Sequence, residues 1–376
     1  MRILFTGGGT GGHIFPIIAV AREIRRIYPR ENIKFFYLGP PNSLHSILLS
    51  QEDIKVGWVL SGKIRRYFSG LSLLQTFIDI IFKIPIGFLQ SFFSIFFIVP
   101  DVIFSKGGYG SLPVVFSGWL FRIPIYLHEA DVVPGVANRI LSHFAKKIFT
   151  SFPQTQTEYF PPRKMIETGN PVRKEIAEGS KEKAQELFKM AGGKPVVLIL
   201  GGSQGAERIN DTILTILPEL LQNFEVLHQG GEKKFKELKA EAQVMILEEL
   251  KKYYHIFSYL REPELKQAYA AADIVVSRAG AGSIFEIAYL GKPAILIPLP
   301  ESAQDHQVKN AYVLSRSGAA VVFEEENLTP HFLLEKLKYL ISHPQEMAMM
   351  SQKARAFFKP DAARRIAEYI LGSVNS

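Results

Sequence analysis

Apolar residues in this chain fall into short, nearly continuous runs. Each is followed by a longer stretch in which they recur every three or four positions. In the first half the runs lie at 2–6, 34–38, 102–105, 123–128 and 147–151. In the second half they lie at 195–200, 225–229, 274–277, 294–298 and 320–323. Runs of this length, apolar on both faces, read as buried strands. Residues 17–27 and 283–290 carry helical spacing. Strands alternating with helices predict parallel sheets covered on both faces, an α/β fold. Asp361 stands where it would cap a last helix over 362–371.

One pattern occurs twice. RILFTGGGTGG and VVLILGGSQGA are each an apolar strand, a glycine loop and a helix start, so each opens its own doubly wound, Rossmann-like unit. The Asn-Pro of GNPVR, at 169–173, marks a turn between the units. The division is then 1–170 for an N-terminal domain, 171–358 for a second, and 359–376 for a C-terminal helix packing back on the first. A length of 376 residues suits two such domains.

Composition adds exclusions. The absence of cysteine rules out disulfides, cysteine-ligated zinc and thiol catalysis. The net charge is +8, and residues 1–170 hold eighteen basic against ten acidic side chains, which is the whole excess. They also hold nineteen of the 28 phenylalanines, many in the segment 71–100. Its uncharged part, 84–100, is at the short limit for a membrane-spanning helix. It also suits an interfacial patch or a buried helix of a larger domain. Lys63, Arg65 and Arg66, with Tyr67 and Phe68, precede it as a headgroup-level patch or a solvated loop. Basic residues beside an apolar surface, rather than a stacking platform, point to an anionic membrane surface and away from nucleic acid. With a strand beginning at Arg2 and no signal peptide before it, the expected location is cytoplasmic.

The candidate chemistry sits where strands end. Gly7, Gly9 and Gly12 spell G-x-G-x-x-G, but no acid ends the second strand to hold a ribose, which argues against a dinucleotide-dependent oxidoreductase. His13, at the loop-to-helix corner, suits a general base or a packing role. Gly201–Ala206 offers backbone N–H groups, Ser203 and Gln204 to a phosphate, without the Lys-Ser/Thr of a P-loop. Ala281, Gly282 and Ser283 lead into a helix carrying Glu286, suited to a ribose diol or to the helix dipole. His128, Glu129 and Asp131 end one strand, with a spacing that fits no standard metal site. Gly107, Gly108 and Tyr109 form a third glycine loop, able to hold an acceptor diphosphate.

Taken in order, TGGGTGGHIFP, SKGGYGSLP, LHEADVVPGVANR, GNPVR, LGGSQGA, SRAGAGSIFEIA and DHQVKNA resemble the MurG family, the N-acetylglucosaminyltransferases that make lipid II for peptidoglycan. The resemblance implies a glycosyltransferase B fold, two Rossmann-like domains facing a cleft. It implies UDP-N-acetylglucosamine as donor and undecaprenyl-diphosphate-linked N-acetylmuramoyl-pentapeptide, lipid I, as acceptor at the inner leaflet. It also implies inversion to a β-1,4 link without cofactor or metal. His13 would be the base, with Glu129 or Asp131 as substitutes. Thr10, Gly11, Gly12, Asp131, Arg173, Ser203, Gln204, Leu260, Ala281, Gly282, Ser283, Glu286 and Gln307 would meet the donor. Asp131 stands where the family has Asn, and Ala130 where it has Gln. A related glycolipid synthase acting on diacylglycerol is the alternative, against which GGSQGA argues.

Overall fold

All ten apolar runs form strands. The structure is a computed structural model that describes residues 1–8, 11–29, 32–62, 76–77, 79–153, 157–201, 206–300 and 302–374. The chain divides into two units, Met1–Arg173 with Pro360–Ser376, and Lys174–Lys359.

In the first unit, β1 (Arg2–Thr6), β2 (Lys34–Gly39), β3 (Ile54–Trp58), β4 (Val102–Ser105), β5 (Ile125–Glu129), β6 (Lys147–Thr150) and β7 (Met165–Glu167) form one parallel sheet. Its order is β3-β2-β1-β4-β5-β6-β7. In the second, β8 (Val196–Leu200), β9 (Glu225–Gln229), β10 (Tyr254–Phe257), β11 (Ile274–Ser277), β12 (Ala294–Leu296) and β13 (Ala320–Val322) run β10-β9-β8-β11-β12-β13. Strand order reverses beside β1 and beside β8, and such a switch opens a crevice at the carboxyl edge of a sheet. β3, β7 and β10 escaped the sequence reading because they are short or broken by polar residues, as in IKVGW, MIE and YHIF.

Strand alternation explains the core. Ile3 and Phe5 face one layer with Ile14 and Ile17, whereas Leu4 faces the other with Val114 and Leu127. The last helix, Ala362–Gly372, sends Ala363, Ile366, Ala367 and Ile370 into the layer of Ile3 and Phe5. Asp361 does occupy its N-cap position, but the side chain makes no capping hydrogen bond. Its ψ of 13° is not the extended conformation that aims a carboxylate at the first-turn N–H groups.

The Phe-rich segment forms a helix at Ile84–Ile98 whose buried residues are Gly87, Ser91 and Ile95, a stripe one residue wide. Gly87 permits this close seat, since a Cβ there would lie 1.8 Å from the Leu60 carbonyl oxygen. Leu89, Phe93, Phe96 and Phe97 are exposed, the last at 76%. A buried core helix is therefore not what this sequence makes. Phe88 and Phe92 pack on Phe116 and Phe121, and exposed Phe116, Trp119 and Leu120 extend the same apolar surface. Residues 81–98 are long and apolar enough to cross a membrane by length and composition. The basic residues Lys63, Arg65 and Arg66, with Tyr67 and Phe68, lie outside the described residues.

Candidate active site

In the first unit the loops after β1, β4 and β5 meet at the carboxyl edge of the sheet. The Gly8 N–H donates to the Gly107 carbonyl at 2.8 Å, tying the first glycine loop to the third. The Tyr37 hydroxyl, deeply buried, donates to the Gly7 carbonyl at 3.0 Å. Gly107 and Gly108 have φ of 83° and 82°, and with ψ of 167° Gly108 lies in a region open essentially to glycine alone. Space adds to that requirement. A Cβ on Gly107 would sit 1.9 Å from Asn138 Oδ1, and one on Gly108 3.1 Å from His13 Nε2. His13, in the first turn of the helix Gly11–Ile27, is thus held against the third glycine loop.

Glu129 is buried at the end of β5, and both its oxygens accept. Oε1 takes the Asp131 N–H at 2.9 Å and Oε2 takes Asn138 Nδ2 at 2.8 Å. Asn138 Oδ1 in turn accepts the Gly108 N–H at 3.2 Å. One buried amide therefore joins the loops after β4 and β5. Burial, aided by Asp131, raises the Glu129 carboxyl to about 7, against these hydrogen bonds. Burial likewise pulls the Lys106 ammonium below its usual range, while Glu129 and Asp131 push it back up. His128 is fully buried and does not join this group. Its Nε2 lies 3.4 Å from Ser151 Oγ and from the Gly169 carbonyl. Burial lowers its pKa well below the usual value, so it stays neutral.

In the second unit the helix Ala281–Leu290 starts beyond β11, with Gly280 as an extended N-cap and no side-chain cap. Its first N–H groups are set to receive an anion. Glu286, half-buried one turn on, accepts from the Tyr269 hydroxyl at 3.3 Å. The Leu260 N–H donates to Gln229 Oε1 at 3.0 Å, and Gln307 Oε1 accepts the Leu299 N–H at 3.1 Å. The loop before Gln307 carries Gln304 and Asp305 at φ of 61° and 55°, a strained pair of the kind found at ligand-binding loops. Arg278, on the loop after β11, is pinned by Glu325 at 2.5 Å.

Two family models match these two units. Residues 3–150 match the glycosyltransferase family 28 N-terminal domain, and residues 196–366 match its C-terminal domain. The chain belongs to glycosyltransferase family 28. A relative from Bacillus thuringiensis (strain Al Hakam), named UDP-N-acetylglucosamine–N-acetylmuramyl-(pentapeptide) pyrophosphoryl-undecaprenol N-acetylglucosamine transferase 3, is 38% identical over 92% of both chains. A relative of the same name, without the numeral, from Legionella pneumophila (strain Lens) is 38% identical over 92% of this chain and 90% of its own. The crystal structure of Acinetobacter baumannii MurG superposes with a TM-score of 0.70 at 25% identity, over 99% of each chain.

On this family 28 framework the expected site residues separate. Gly107, Gly108, Glu129 and Asp131 come together in the first unit with His13, close to the helix start at Gly11 and Gly12. Arg173, also in the first unit, is buried with its guanidinium 3.8 Å from the Phe15 ring centroid. Ala281, Gly282, Ser283 and Glu286 share one helix start in the second unit, at whose sheet edge Leu260 and Gln307 also lie. Thr10, Ser203 and Gln204 lie outside the described residues. The sequence reading missed Asn138 and Lys106 as site residues. Both lie inside motifs quoted above, Asn138 in LHEADVVPGVANR and Lys106 in SKGGYGSLP. An asparagine nine residues after its carboxylate partner gives no sign of the contact until the helix Val136–Leu141 folds back.

Proposed function

We propose that this chain transfers N-acetylglucosamine from UDP-N-acetylglucosamine to the C4 hydroxyl of undecaprenyl-diphospho-N-acetylmuramoyl-pentapeptide, converting lipid I to lipid II in peptidoglycan synthesis. The observation that carries this is 38% identity across 92% of both chains to a transferase named for that reaction. The geometry supplies suitable parts. His13 removes the acceptor hydroxyl proton, and the oxygen attacks the sugar C1 opposite the diphosphate. The bond from C1 to the phosphate oxygen breaks, UDP leaves with the electron pair, and the configuration inverts.

In the second unit the uncapped helix start at Ala281, Gly282 and Ser283 stabilises the leaving diphosphate, with Ser203 and Gln204 in the glycine loop after β8. Glu286 accepts from the ribose diol. With its N–H given to Gln229, Leu260 meets uracil through its carbonyl. Gln307, whose amide oxygen takes the Leu299 N–H, turns its NH2 to the donor sugar. In the first unit Gly107, Gly108 and Tyr109 take the acceptor, with Glu129 beside them. Thr10, Gly11, Gly12, Asp131 and Arg173 are the donor contacts of that unit. The enzyme works at the cytoplasmic face of the membrane, and the exposed helix Ile84–Ile98 is the surface that seats it there.

A screen of UDP-sugars against a lipid I analogue tests donor, acceptor and reaction together. Transfer from UDP-N-acetylglucosamine alone is the expected result. Turnover with diacylglycerol and none with the lipid I analogue would replace this reading with a glycolipid synthase.

A further inference from the structure

Inside the second unit one imidazole lies at the centre of a hydrogen-bond network that the transfer as described does not use. His228, in β9, is wholly buried. Its Nε2 lies 3.1 Å from Asn210 Oδ1, and its Nδ1 lies 2.9 Å from the Tyr254 hydroxyl. Asn210 is buried in the first turn of the helix Glu207–Asn223, and its Nδ2 donates to the Gly230 carbonyl at 2.9 Å. A carbonyl only accepts, so the amide nitrogen of Asn210 must face Gly230 and its oxygen must face the ring. The Nε2 of His228 therefore carries the proton, and the bare Nδ1 accepts from the Tyr254 hydroxyl. Burial keeps the ring neutral, with its pKa lowered to about 3. A buried polar network satisfied in this way specifies one arrangement of its members.

The network meets the donor side of the unit at three points. The helix carrying Asn210 follows the glycine loop after β8. Gly230 opens the loop after β9, and its N–H donates to the Phe257 carbonyl at the end of β10 at 2.9 Å. It packs so closely on the next helix that a Cβ there would lie 2.3 Å from Leu238 Cδ2. Gln229, between His228 and Gly230, takes the Leu260 N–H. A shift of Gly230 thus shifts the seat of the segment that carries Leu260. We propose that His228 is a positioning residue for the nucleotide of the donor. Through Asn210 it fixes the loop after β9, and with it the seat of Leu260, against the helix that follows the glycine loop after β8. This rests on the transferase reading and adds a residue to its donor side. The arm to Tyr254 supports the ring from β10 and serves stability alone.

The two arms can be separated by substitution. A glutamine amide nitrogen reaches where the imidazole Nε2 lies, whereas an asparagine amide reaches only as far as Nδ1. His228→Gln keeps the bond to Asn210 and loses the one to Tyr254, and His228→Asn does the reverse. The readouts, on the full chain, are calorimetric titration with UDP, steady-state transfer from UDP-N-acetylglucosamine to a lipid I analogue, and thermal unfolding. His228→Asn is expected to raise UDP Kd and donor KM about five- to tenfold with kcat within about twofold, the loss of one buried hydrogen bond. His228→Gln and Tyr254→Phe should leave Kd and donor KM within about twofold of the parent, although all three variants lose comparable thermal stability. A residue that merely packs would move donor binding in step with stability. Equal donor binding in His228→Gln and His228→Asn therefore overturns the proposal.

If His228→Asn does not fold, Asn210→Ala breaks the same arm from its other end and should give the same loss of UDP affinity. An unchanged Kd, or failure of this variant to fold as well, overturns the proposal. If the parent binds UDP but transfers nothing, the transferase reading fails and the UDP Kd values alone judge His228. If the parent does not bind UDP, both fall.

Discussion

The contact that joins the loops after β4 and β5 can be removed with one substitution, Asn138→Ala. Asn138 is buried, its Nδ2 is 2.8 Å from a carboxylate oxygen of Glu129, and its Oδ1 is 3.2 Å from the Gly108 nitrogen. Losing a hydrogen bond to a charged group costs about 1.5–3 kcal/mol, and losing a neutral one that water can partly replace costs about 0.5–1.5 kcal/mol. The sum is about 2–4 kcal/mol, all of it in the first unit. For a unit of 150–250 residues each kcal/mol moves Tm by about 2–4 °C, so its unfolding transition should fall by roughly 5–15 °C. Scanning calorimetry of the full chain with and without UDP reads this directly, since UDP should move only the transition of the second unit. In steady-state assays kcat should fall, because the loops after β4 and β5 shift together. A first-unit transition within about 2 °C of the parent, with normal kcat, would refute the idea that this amide couples the loops.

Three further outcomes follow from the same geometry. Glu286→Ala should raise the donor KM about tenfold with little change in kcat, the loss expected of one or two hydrogen bonds to a carboxylate; an unchanged KM would remove Glu286 from the donor site. Replacing Phe96 and Phe97 together by Ser should weaken binding to anionic vesicles about a hundredfold or more while leaving turnover of a water-soluble acceptor analogue intact, and equal vesicle binding would place the membrane contact elsewhere. Glu129 has a folded-state pKa of about 7 against an ordinary 4.5, so the folded state binds its proton more tightly. Its contribution to stability is therefore fully present below about pH 4.5 and is lost as pH rises through 7. Glu129→Gln should flatten that part of the stability–pH curve, and a curve parallel to the parent's would contradict it.

How far the sequence reaches can be seen at single residues. Strands such as 102–105 and 274–277 were legible to the residue, because a strand buried on both faces is apolar along almost its whole length and must end where the chain turns. The glycine loops were legible for a similar reason, since only glycine tolerates the φ that Gly107 and Gly108 adopt. His13 and Glu286 stood out as candidates because they lie beside such loops.

Other features needed the fold. Periodicity could not say which way the Phe-rich helix faces, because a helix apolar all round has no polar side to expose. The seat of Gly87 on the Leu60 carbonyl decides it. The capping role expected of Asp361 fails on one backbone angle that composition cannot convey. Asn138, Glu129 and Gly108 are thirty residues apart at the extremes, and only the return of the chain from β4 through β5 makes them one hydrogen-bonded group. By itself the sequence determined the glycine loops at the carboxyl edges, two parallel sheets and the family, because these depend on local pattern and ordered motifs. The tertiary structure alone decided which side chains share a charge and which apolar face meets the outside. Burial and Coulombic coupling depend on distances through space, and the sequence carries those only once it is folded.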